Sequence, residues 1–206
     1  YRFISGEQLF SFIKNDEANA AVEQLQLVLK VCGKFKNTYS EYRTKVAIEC
    51  PQNQWSVQNG AIFARLDCCI DRSHDILDLT KTIIQFSKLV KVEIGGTKGN
   101  TLTSTIHQIR HDFQRSVDAI KNLEYDIMDI KAVQFDGEYS KFRKIVKEIE
   151  RRLGAVIGLA LDDCETVYGR FQLVDTFDKQ LLDRPIIQDE VEVKQIVLIQ
   201  SYGKDL

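Results

Sequence analysis

The sequence is poor in residues that interrupt a chain. It has two prolines in 206 residues, Pro51 and Pro185, so most of it is free to be helical. Its five cysteines (Cys32, Cys50, Cys68, Cys69, Cys164) are odd in number and show no C-x-x-C spacing. That argues against a disulfide framework or a zinc site and fits reduced thiols. No run approaches the ~18 apolar residues of a membrane helix. The net charge of −2 provides no field to gather nucleic acid or an anionic membrane. What is present, 44% hydrophobic and 28% charged residues, is a globular balance, enough for one large domain or two small ones. The first residue is Tyr1 rather than Met, which reads as an excerpt of a longer chain.

Apolar residues recur at helical spacing almost throughout. A short helix is expected around Leu9, Phe10, Phe12 and Ile13, ended by Asn15-Asp16. Leu25, Val28, Cys32, Phe35, Tyr39, Tyr42 and Val46 alternate steps of three and four, an a/d seam that Ala18 and Ala21 extend backwards and Pro51 closes. A second long helix is expected from about Ser56 to Leu89, with the stripe Ile62/Phe63, Leu66, Cys69/Ile70, Ile76/Leu77 and Ile83/Ile84. Its doubled positions fit a helix with two neighbours. Leu102, Ile106, Ile109, Phe113, Val117 and Ile120 define a third, capped by Asn100 or Thr101. A fourth is expected from Asp136 to about Leu182, roughly 70 Å at ~1.5 Å per residue. Its seam shifts by one position near residues 160–164, a stutter that turns it toward a different neighbour. Pro185 ends it, and Val191 to Ile199 begins a fifth element. The fold class expected is all-α: elongated bundles of long amphipathic helices, two of them sharing the fourth helix. The segments expected are 1–52, 53–187 and 188–206.

"VEIGGTKGNT" (92–101) is the stretch most suggestive of chemistry. A phosphate-binding Walker loop needs G-x-x-x-x-G-K-[ST], but here Lys98 precedes Gly99 and Asn100 stands where the lysine belongs. Gly95 and Gly96 are adjacent, so the dinucleotide pattern fails too, and "VKVEI" is the only convincing strand. A ligand or phosphate site at Gly95–Asn100 is the alternative. The favoured reading is a structural corner in which Gly95, Gly96 and Gly99 supply backbone geometry. His107 and His111 at i, i+4 lack a third metal ligand and read as an exposed polar face. Asp162-Asp163 diverge by about 100° on a helix and read as a cap or an interhelical ion pair. Gly154, Ala155 and Gly158 mark a close helix crossing at Gly154 and Gly158. In "KFRKIVKEIERR" (141–152), i, i+4 pairs Lys144–Glu148 and Glu148–Arg152 suit a solvated face. Lys141, Lys144, Arg151 and Arg152 make it a candidate face for an acidic partner. No catalytic, cofactor or metal constellation emerges.

Five blocks, "FARLD" (63–67), "KVEIGGTKGNTL" (91–102), "LEYDIMD" (123–129), "RRLGAVIGLALDDC" (151–164) and "LLDRPII" (181–187), resemble in order the N-terminal tail of dynein heavy chains of the axonemal, outer-arm type. The resemblance covers about residues 53–195. It implies a non-catalytic stem made of helical bundles, with no cofactor of its own. It also implies contacts with other heavy chains, with intermediate and light chains, and through the assembled tail with a docking complex and the doublet microtubule. The location implied is the cytoplasm and the axoneme of a cilium or flagellum. ATP binding and motor activity would belong to the parent chain, and neither nucleic acid nor membrane is an implied partner.

Overall fold

The computed structural model describes residues 5–14, 17–52, 59–164, 166–177 and 179–202. They form α1 (Gly6–Lys14), α2 (Ala18–Glu49), α3 (Asn59–Ser87), a 3-10 turn (Lys88–Lys91), α4 (Gly99–Lys121), α5 (Gln134–Asp163), α6 (Val167–Thr176), α7 (Lys179–Leu182) and α8 (Pro185–Tyr202). No strand occurs among the described residues, so the fold is all-α. The stop at Asn15-Asp16 and the start at Ser56 lie outside them. The helices group into two units, 1–81 with 123–133 and 82–122 with 134–206.

In the first unit α1 packs on the start of α2, burying Leu9, Ala18, Ala21 and Leu25. Phe63 of α3 meets the edges of Phe35 and Tyr39 of α2, at 6.1 and 5.2 Å between ring centroids. Lys36 pairs with Asp67 between the same helices. Segment 123–133 is irregular, so its carbonyls need donors from elsewhere. Buried Arg72 provides them: Nη1 donates to the carbonyls of Ile127 and Asp129 at 2.9 Å, and Nη2 to Ala132 at 3.0 Å. Asp126 in turn accepts from the N–H of Gly6 at 2.8 Å, satisfying an otherwise open donor at the start of α1.

In the second unit α5 packs against α4 on one flank and α8 on another. Its wide buried face, from Phe135 through Leu161, reflects those two neighbours. Stacked rings of Phe86 and Phe113, 4.5 Å apart, lead to Phe142 at 6.2 Å from Phe113.

The structure departs from four expectations of the sequence. The helix expected from Asp136 to Leu182 ends at Asp163, and what reads as a stutter is a break. Two carboxylates oppose the negative end of a helix dipole there. The Cys164 carbonyl instead receives Arg170 Nε at 2.8 Å, and Thr166 Oγ1 caps α6 by accepting from the N–H of Gly169 at 3.1 Å. The break resets the face, so Phe171 is exposed while Leu173 and Phe177 are buried. Pro185 does not end a helix but opens α8, where its missing N–H is no loss. "VKVEI" alternates as a strand would, with Val92 and Ile94 buried and Glu93 exposed. It nonetheless passes from the 3-10 turn into irregular chain, because no second strand among the described residues is there to ladder with it. Finally, the N-cap position of α4 falls at Lys98, ahead of Asn100 and Thr101, and its side chain makes no capping hydrogen bond.

α8 crosses α5 at Gly154. A Cβ there would lie 3.0 Å from Glu190 Cγ and 3.3 Å from its Cβ, whereas at Gly158 it would meet only Lys194 Cε at 3.7 Å. The two glycines should therefore respond differently. Gly158→Ala is expected to stabilise by roughly 1 kcal/mol through helix propensity, while Gly154→Leu overpacks the crossing and destabilises by ~1–3 kcal/mol. Chemical denaturation of both variants checks this; equal responses would place the tight point elsewhere.

Candidate functional site

The corner between the 3-10 turn and α4 is where sequence chemistry pointed, and the three glycines there have separate roles. Gly96 has φ of +95°, a conformation costly to residues with a Cβ. A Cβ on Gly99 would lie 2.3 Å from the carbonyl oxygen of Ile94, so Gly99 is needed for a close backbone approach. Gly95 has open space around it and neither constraint. Thr103 Oγ1 receives the N–H of Ile94 at 2.9 Å and pins the incoming chain to the first turns of α4.

An anion does sit at the start of α4, and it belongs to the chain. Asp163 accepts from Thr97 Oγ1 at 2.8 Å and from the backbone N–H of Lys98 at 3.1 Å. The Lys98 N–H and the positive dipole end, which could help hold a phosphate, thus face a carboxylate from the end of α5. The groove beside the corner is lined by Glu93, Gly95, Gly96, Leu173 and Asp175 among others, and Lys98 is not part of its lining. Its carboxylates would repel phosphate.

The N–H of Lys98, then the Thr97 hydroxyl, hold the Asp163 carboxyl below its ordinary value. A carboxylate with a depressed folded pKa stabilises above its unfolded pKa near ~3.9, and that share is lost as pH falls through the folded value. Arg152 and Arg115 depress Asp112 in the same way. Asp163→Asn is therefore expected to flatten part of the fall in stability below about pH 4, leaving the Asp112 share. Melting temperature measured from pH 5 to 2 reads this, and identical acid limbs in the two proteins would rule it out.

The neighbouring Asp162 pairs with Lys194 of α8 at 2.6 Å. The Asp162-Asp163 pair thus makes one interhelical ion pair and one cap, as its divergence on the helix requires. His107 and His111 are both exposed on α4. Among the described residues no group of three His, Cys, Asp or Glu is placed to hold a metal, and no helix is long and apolar enough to cross a membrane. In the basic run the expected i, i+4 pairs give way to others: Glu148 pairs with Arg151 at 3.2 Å, and Arg152 reaches across to Asp112 at 2.8 Å. Arg152 is thereby occupied, while Lys141, Lys144 and Arg151 remain on the exposed face of α5, with Lys141 bound to Glu138.

The largest departure is on α2. Its a/d seam is buried only at its start, at Ala18, Ala21 and Leu25; Val28, Cys32 and Tyr39 are half-buried, and Phe35, Tyr42 and Val46 are exposed. The Phe63 ring of α3 meets one side of the seam, at Phe35 and Tyr39, and the other side is open.

The described residues are thus a chain of helices with a backbone-determined corner before α4 and a half-open seam on α2. All of the chain, residues 1–206, matches the family described as dynein heavy chain, N-terminal region 1. The chain belongs to the dynein heavy chains. It is 42% identical over 205 residues to the dynein beta chain of the flagellar outer arm of Chlamydomonas reinhardtii, covering 100% of this chain and 4% of that one. It is 30% identical over 208 residues to human dynein axonemal heavy chain 9, covering 99% and 4%. The dynein-1-beta heavy chain of the Chlamydomonas reinhardtii flagellar inner arm I1 complex is 27% identical over 174 residues, 84% of this chain and 4% of that one. The dynein chain described here therefore spans about 4% of the length of these relatives.

Sequence reasoning missed three polar anchors of this dynein segment: Arg72, Asp126 and the pair of buried Glu150 with half-buried Arg184. The only signal was positional. Arg72 falls between the apolar positions Cys69 and Ile76, and Glu150 sits beside Ile149 on a face wide enough to bury both.

Proposed function

We propose that this chain is a non-catalytic stem segment of an axonemal dynein heavy chain that scaffolds assembly of a ciliary or flagellar motor. Its partners are other heavy chains and the intermediate and light chains, and through the assembled stem the docking complex and doublet microtubule. ATP use and force production lie in the remainder of the parent chain. The observation that carries this reading is the open side of α2, where Leu27, Val31, Phe35, Tyr42 and Val46 are 41–62% exposed. An apolar stripe of that extent marks an interaction surface. Amine-reactive cross-linking of the intact motor, read by mass spectrometry, tests it. Links from Lys30, Lys34 or Lys45 to another subunit are expected, and their absence overturns the reading.

A further inference from the structure

The open face of α2 also carries a charge signature. The chain as a whole is slightly acidic, at −2. Between residues 30 and 45, α2 holds five basic residues, Lys30, Lys34, Lys36, Arg43 and Lys45, against the single acidic Glu41. Lys36 is matched by Asp67 of α3. Lys34 and Lys45 are exposed and lie three residues beyond Val31 and Tyr42, on the same helix face as the apolar stripe. Lys45 Nζ stands 5.3 Å from the centroid of the Tyr42 ring, at the edge of the stripe itself. From Leu27 to Val46 the stripe runs about 28 Å, five turns of helix. The shape suits a helix laid alongside in coiled-coil fashion, and the field suits negative charge on its borders.

We infer that this face takes an amphipathic α-helix of another chain, about 20 residues long, whose apolar stripe is bordered by aspartate and glutamate. This rests on the scaffolding reading above and adds the chemistry of the partner. A helix with lysine borders would meet like charge at Lys34 and Lys45. A second copy of this chain would bring the same lysines to the contact.

Zero-length carbodiimide coupling of the intact motor joins a lysine only to a carboxylate already in contact with it. Amide links from Lys34 and Lys45 to Asp or Glu of another subunit are the expected result. The Lys34→Glu, Lys45→Glu double variant should lose at least tenfold in retention of that subunit, with an unchanged melting temperature because both residues are exposed. Amine-spanning links without any zero-length link overturn the acidic-helix inference and leave the scaffold standing. Links to a second copy of the chain, or undiminished retention by the double variant, overturn it as well. Loss of both kinds of link removes the scaffold reading itself.

Discussion

Arg184→Ala is expected to destabilise the protein by ~3–5 kcal/mol, because it strips the partner from a buried carboxylate. Glu150 is 4% exposed in the face of α5, and its Oε1 accepts from Arg184 Nε. The same guanidinium donates through Nη1 to Gln85 Oε1 at 2.6 Å and more weakly to Thr82 Oγ1 at 3.3 Å, and it stands 5.5 Å from the centroid of the Phe86 ring. One side chain therefore ties the end of α3, the middle of α5 and the start of α8. Taking two charges out of water is expensive, so the pair itself adds little net stability; the damage comes from leaving one charge alone. Arg184→Met combined with Glu150→Gln should consequently recover most of the loss. A denaturant-unfolding double-mutant cycle decides the matter: a single-variant loss below about 1 kcal/mol would mean that water reaches Glu150.

Gly99→Val carries the second large effect, about 3 kcal/mol at the upper end of overpacking penalties. Its Cβ would fall 2.3 Å from the Ile94 carbonyl oxygen, a backbone atom that no rotamer change can move aside. Relief requires shifting the segment that Thr103 pins or lifting α4 off Asp163. Gly95→Ala, three residues from Lys98 and in open space, should change stability by only a few tenths of a kcal/mol. Thermal unfolding of the two variants separates a geometric corner from a loop tolerant throughout. Equal and small shifts would remove the reason for glycine at position 99.

The periodicity of the chain was enough for the helices and for much of what they bury. Spacing at 3.6 residues is a local property, and the face it marks is buried wherever any neighbour is available. Thus Leu102, Ile106, Ile109, Phe113, Val117 and Ile120 are all buried on α4, as their spacing requires. At 95–99 the sequence pointed to backbone geometry because adjacent glycines out of phosphate-loop register have few other uses. The choice among the three glycines was not legible, since it depends on where the Ile94 carbonyl and the Asp163 carboxylate arrive in space.

Breaks, caps and pairings belonged to the tertiary structure. Whether a shift of seam near residue 162 is a stutter or an end is decided by partners distant in sequence. Asp163 ends α5 by engaging Thr97 and Lys98, which start α4. Asp126 caps α1 from 120 residues away. Arg72 is buried and Arg184 half-buried because irregular carbonyls and a buried carboxylate converge on them, which no local pattern encodes. The seam of α2 is the converse case. Its sequence specifies an apolar face with coiled-coil spacing, but a face fixes only that something should cover it. In this chain Phe63 of α3 meets one side and the other is exposed, because burial depends on neighbours and spacing depends on the helix alone.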